Sequence, residues 1–138
     1  MDLKLWVECP DKYYDAWRLL VILWRGMNWN IWGKYRRTIW QTFTNTVRSV
    51  ACTTGTLELW LSRFTVAMQI TNLGTSVDDR LELKRILTQG NQALILRQFR
   101  EEAPFLVLLL RRFRDIRREE LEQRLEEEYG EDIRRDQD

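Results

Sequence analysis

Leu3, Leu5 and Val7 alternate with Lys4, Trp6 and Glu8, the period-two pattern of a short strand. Pro10 and Asp11 stop that pattern and open a helix, because proline suits a first turn and aspartate a cap. Tyr13, Trp17, Leu20 and Trp24 then recur at four, three and four, which predicts one buried helical face ending at Gly26. Residues 28–36 show no clear period.

From Thr38 the pattern changes. In "TIWQTFTNTVRSVAC", nine of fifteen residues are Thr, Val, Ile, Phe or Trp, which favour a pleated strand. "TTG" follows, and then Leu57, Leu59 and Leu61 alternate with Glu58, Trp60 and Ser62. Phe64, Val66, Met68 and Ile70 alternate with Thr65, Ala67, Gln69 and Thr71. A loop ending in glycine suits a bulged hairpin, and the phase slip at Ser62–Arg63 suits a bulge or second turn. A helical reading competes. Ile39, Phe43, Val47 and Val50 also sit at helical spacing, as do Leu57, Trp60, Leu61, Phe64 and Met68. The threonine load favours strands.

Ser76, with Asp79 three residues later, reads as a capping pattern that opens a helix running to Gly90. "NQALILRQFREEA" predicts another helix, stopped near Pro104. A long helix follows with Leu106, Leu109, Phe113 and Ile116 on one side. Leu121 and Leu125 are its only apolar anchors before Tyr129, so its end reads as a solvated helix fraying into a tail. The predicted fold class is α+β: a small amino-terminal strand–helix–hairpin unit packed by carboxy-terminal helices. The alternative is an all-α helical bundle. Residues 1–130 are expected to form a single compact domain and residues 131–138 a charged, frayed tail.

At 138 residues and 44% hydrophobic composition the chain can bury a core without metal or disulfide help. The net charge of +1 hides a basic first half and an acidic second half, and all seven tryptophans lie in the first sixty residues. No apolar run approaches the roughly 20 residues of a membrane span, and secretory, myristoylation and prenylation signals are lacking. Two cysteines fit a reducing compartment, so a cytoplasmic or nuclear location is expected.

Chemistry is excluded more firmly than it is suggested. With no histidine, Ser-His-Asp and Cys-His nucleophile systems and His-containing zinc sites fall away. Neither GxxxxGK[ST] nor GxGxxG occurs. No enzyme activity, cofactor, metal or small-molecule substrate is expected.

Two stretches remain as contact candidates. "NWNIWGKYRRTIW" interleaves Trp29, Trp32 and Tyr35 with Lys34, Arg36 and Arg37, a composition that stacks bases and holds phosphates, or alternatively the edge of a tryptophan core. Arg97, Arg100, Arg111, Arg112, Arg114, Arg117 and Arg118 form a second basic set suited to forked phosphate contacts, or a solvated helix face. The apolar start "PFLVLLL" surrounds its helix, so Leu106, Leu109, Leu110, Phe113 and Ile116 are expected either at the centre of the fold or in a homodimer seam.

One segment resembles a known family. "LWRGMNWN", Leu23–Asn30, is similar to the hydrophobic–Gly–Asn-Trp segment of Bcl-2-like apoptosis regulators. It departs from the family pattern in having Asn30-Ile31 where Gly-Arg follows, and too few residues precede it for that family's first three helices. The resemblance implies an all-helical fold that captures an amphipathic helix in a groove.

Together these features favour a tryptophan-rich, non-enzymatic protein–protein interaction module. It would be a homodimer acting as an accessory protein, inhibitory or adaptor. Sequence-tolerant RNA or DNA binding through the Trp and Arg patches is the alternative, and a helical apoptosis regulator is the third reading.

Overall fold

The computed structural model describes residues 10–27, 36–74 and 76–137, the side chains at 36, 37, 117, 129 and 131–137 excepted. Among the described residues a 3-10 turn at Asp11–Tyr13 is followed by five α-helices: α1 (Tyr14–Arg25), α2 (Arg36–Ala51), α3 (Leu57–Ala67), α4 (Val77–Gln89) and α5 (Gln92–Gln137). Among the described residues there is no strand. The α+β expectation is therefore overturned, and the helical bundle kept as its alternative is the observed class. The strand read at Leu3–Val7 lies outside the described residues.

The hairpin fails for a physical reason. In α2 the buried side chains are Ile39, Trp40, Phe43, Val47 and Ala51, and in α3 they are Leu57, Trp60, Leu61 and Phe64, continued by Met68 at its C-cap. Both sets recur at three and four, one stripe of a helix. Alternation would put Leu57, Leu59 and Leu61 on one face, yet Leu59 is exposed between two buried leucines. The threonines of α2 spread over its exposed and half-buried positions, and Thr44 Oγ1 donates to the carbonyl of Trp40, 2.9 Å away. Burial of the large apolar stripe outweighs the few tenths of a kcal/mol by which each threonine disfavours a helix.

Caps mark the boundaries. Thr56, Ser76 and Asn91 accept from the backbone N–H groups of Leu59, Asp79 and Leu94 through their side-chain oxygens, opening α3, α4 and α5. The loop read as a hairpin turn, Thr53–Gly55, is a helix–helix connection.

Cys9–Leu110 form one compact unit, and the residues of α5 from Arg111 onward belong to a second. Within the first unit α1 is the central element. Ala16, Trp17, Leu19, Leu20, Val21, Ile22, Leu23 and Trp24 are all buried, so this helix is enclosed on nearly every side rather than along one face. The α2 and α3 stripes contribute to the same core, as do Ile86 of α4 and Ile95, Phe99, Ala103 and Leu106–Leu110 of α5, with Leu108 the exposed exception.

Candidate functional site

Six aromatic rings run through the core of the first unit. Trp40 stacks on Trp24 at 3.9 Å between centroids, and Trp24 meets Phe43 edge-on at 5.2 Å. Phe43 meets Phe64 edge-on at 5.3 Å, Phe64 stacks on Trp60 at 5.1 Å, and Trp60 stacks on Phe99 at 4.5 Å. Offset stacks and edge contacts suit the ring quadrupoles, and the series ties α1, α2, α3 and α5 together. Trp24, Trp40 and Trp60 are thus core, not stacking platforms for bases.

Ion pairs fasten α4 beside α1. Arg25 Nη1 donates to Asp79 Oδ1 at 3.0 Å, and Asp79 is buried. Arg85 Nη2 lies 2.7 Å from both Asp15 Oδ1 and Glu82 Oε1. Those two carboxylates hold the Arg85 guanidinium above its ordinary range, and the Arg85 hydrogen bond holds Glu82 below the usual carboxylate range. On the other side Arg100 Nε donates to the carbonyl of Ala51 at 3.2 Å, and the Gln98 side chain donates to the carbonyl of Lys12. These groups cap helix ends and join elements, an arrangement that holds the fold.

A shallow concavity beside the α2–α3 connection is lined by Thr53, Gly55, Thr56, Trp60, Arg63 and Leu96. Arg63 Nη1 donates to Thr53 Oγ1 at 2.9 Å across it, and the buried Trp60 indole N–H has no partner among the described residues.

Of the residues singled out from the sequence, Trp29, Trp32, Lys34 and Tyr35 lie outside the described residues, as do the side chains of Arg36, Arg37 and Arg117. Arg97 and Arg100 are exposed in the first unit; Arg111, Arg112 and Arg118 are exposed and Arg114 half-buried in the second. Leu106, Leu109 and Leu110 are buried in the chain's own core, whereas Phe113 and Ile116 are half-buried in the second unit.

The second unit holds a surface that the apolar pattern did not single out. Every side chain from Leu121 to Glu128 is exposed, including Leu121 at 58% and Leu125 at 47%. Its internal pairs are Arg118–Glu122 at 3.4 Å and Glu120–Arg124 at 3.1 Å. This agrees with the reading of the segment as a solvated helix whose only apolar residues are Leu121 and Leu125.

Among the described residues no helix is long and apolar enough to cross a membrane, and no group of three or more Cys, Asp and Glu could hold a metal ion. No family model, no curated protein and no solved structure matches this chain.

Proposed function

We propose that the chain is a non-enzymatic protein–protein interaction module that self-associates, with Arg111–Glu128 of α5 as its contact face. The observation that carries this reading is the exposure of Leu121 and Leu125 on a helix that lacks a packed apolar stripe there. Most helical stability in proteins comes from packing an amphipathic face. Two exposed pairs at i,i+4 supply only about 0.3–0.5 kcal/mol each. Covering one leucine is worth roughly 1.5–3 kcal/mol, so a partner over this face offsets what the segment lacks.

Sedimentation equilibrium of the full chain over a range of concentrations tests the proposal. The expected result is a monomer–dimer equilibrium weakened more than about tenfold by Leu121→Gln with Leu125→Gln, both good helix formers. A monomer at every concentration rules it out.

The nucleic-acid reading draws on five arginines between Arg111 and Arg118. It is opposed by the six glutamates of the next ten residues, which repel phosphates. Capture of an amphipathic helix, as the Leu23–Asn30 resemblance implies, is supported by the all-helical fold alone; titration with a labelled amphipathic peptide, read by anisotropy, tests it.

A further inference from the structure

Charge along α5 is segregated. Residues 111–118 contain five arginines and one aspartate, a net +4, and residues 119–128 contain six glutamates and one arginine, a net −5. Arg111, Arg112, Glu126, Glu127 and Glu128 make no ion pair among the described residues, although all are exposed. We infer that two copies of this chain pair antiparallel along Arg111–Glu128, so that the basic block of each lies along the acidic block of the other. The inference rests on the self-association reading above and adds its partner geometry.

One face of α5 carries both leucines and members of both charge blocks. Arg111, Arg114, Arg118, Leu121, Leu125 and Glu128 follow at three, four, three, four and three and so share one seam along the helix, with Leu121 and Leu125 its apolar members. At 1.5 Å per residue that seam is about 26 Å long. Turning a second copy end for end about a point between Glu119 and Glu120 sets Arg111 opposite Glu128 and Arg118 opposite Leu121. Arginine stems then cover the leucine while their guanidinium groups reach neighbouring glutamates at the rim. A parallel pair instead sets Arg111, Arg118 and Glu128 each against its own copy, like charge on like, along the whole length. Both blocks lie inside α5, away from the end turns where the helix dipole acts, so the dipole does not set their order. A partner that reads it in reverse does.

Two double variants test the inference in the full-length chain, with circular dichroism confirming that each keeps its helical content. Arg111→Glu with Arg112→Glu removes the net charge of the basic block, and Glu126→Arg with Glu127→Arg removes most of that of the acidic block. Each alone is expected to weaken the dimer more than about tenfold at low salt, and mixing the two to restore a one-to-one hybrid. The loss fades at 1 M salt, where the screening length falls to about 3 Å. Orientation is read separately in a Cys9→Ser, Cys52→Ser background. A chain with Arg111→Cys mixed with a chain carrying Glu128→Cys should oxidise to the mixed disulfide. Disulfides formed only between like chains overturn the antiparallel geometry. A wild-type dimer that ignores both charge variants overturns it as well and leaves the self-association reading standing. A wild-type monomer removes both.

Discussion

Single residues show where local chemistry agrees with the fold and where it is stretched. At the end of α3, Ile70 N–H donates to the carbonyl of Thr65 at 2.9 Å, and Gln69 N–H to that of Val66 at 3.2 Å. This is the Schellman closure, in which the residue after the cap is normally glycine. Here it is Gln69, with φ at +54°, where an L side chain crowds its own carbonyl at a cost of about 1–2 kcal/mol. Gln69→Gly is expected to stabilise the chain by about 0.5–1 kcal/mol, once the extra freedom of glycine in the unfolded chain is deducted, and thermal melts will show it. Glu82 offers a pH prediction. Its hydrogen bond to Arg85 lowers its pKa in the folded protein, so the pair's contribution is complete above the ordinary glutamate pKa of about 4.3. That contribution is lost as pH falls through the lowered value. Wild type should therefore exceed Glu82→Gln in stability at pH 7, and the gap should close in denaturant titrations taken well below pH 4. A gap that is constant with pH would remove the ion pair as its cause.

Elements were legible where caps and period agreed. Ser76 opening α4, Gly26 after α1 and the helical stretch from Asn91 were all readable, because a boundary residue (a capping side chain at Ser76 and Asn91, a glycine after α1) and a 3.6-residue period point the same way. The stretch from Thr38 to Thr71 was not. Short apolar runs there satisfy both a two-residue and a 3.6-residue period, and β-branched residues tilted the reading toward strands. What decides it is which neighbours lie across the gap, and that information is tertiary. The contact face was legible in part: the segment from Leu121 to Glu128 reads as a solvated helix, and all of its side chains are exposed. Pro104, read as a stop, lies inside α5. It has no N–H to give the carbonyl of Arg100, and its ring crowds that turn. Pro104→Ala is expected to add about 2 kcal/mol, from about 3 for an interior proline less the entropy a proline takes from the unfolded chain. An unchanged or lower melting temperature would mean that the turn has fully adapted to the ring.

At the scale of the molecule, tryptophan content changes meaning once the rings are placed. Seven indoles beside arginines suggest a base-stacking surface, yet Trp17, Trp24, Trp40 and Trp60 are all buried, and the last three belong to the ring series through the first unit. Phe43 sits in the middle of that series, fully buried, with Trp24 on one edge and Phe64 on the other. Removing its ring severs the aromatic link between the α1–α2 stack and the α3–α5 stack and leaves a cavity that rigid neighbours close only in part. Phe43→Ala should therefore cost about 3–5 kcal/mol, a large fraction of the 5–15 kcal/mol typical of a whole domain. Phe43→Leu keeps much of the volume and should cost far less. Because the series crosses four helices, tryptophan fluorescence and far-ultraviolet ellipticity should report one coincident transition in the wild type. In Phe43→Ala the two signals should either move together to lower denaturant or separate. Separation would show that the two stacks hold their helices independently, and coincidence that the core between them is one cooperative unit.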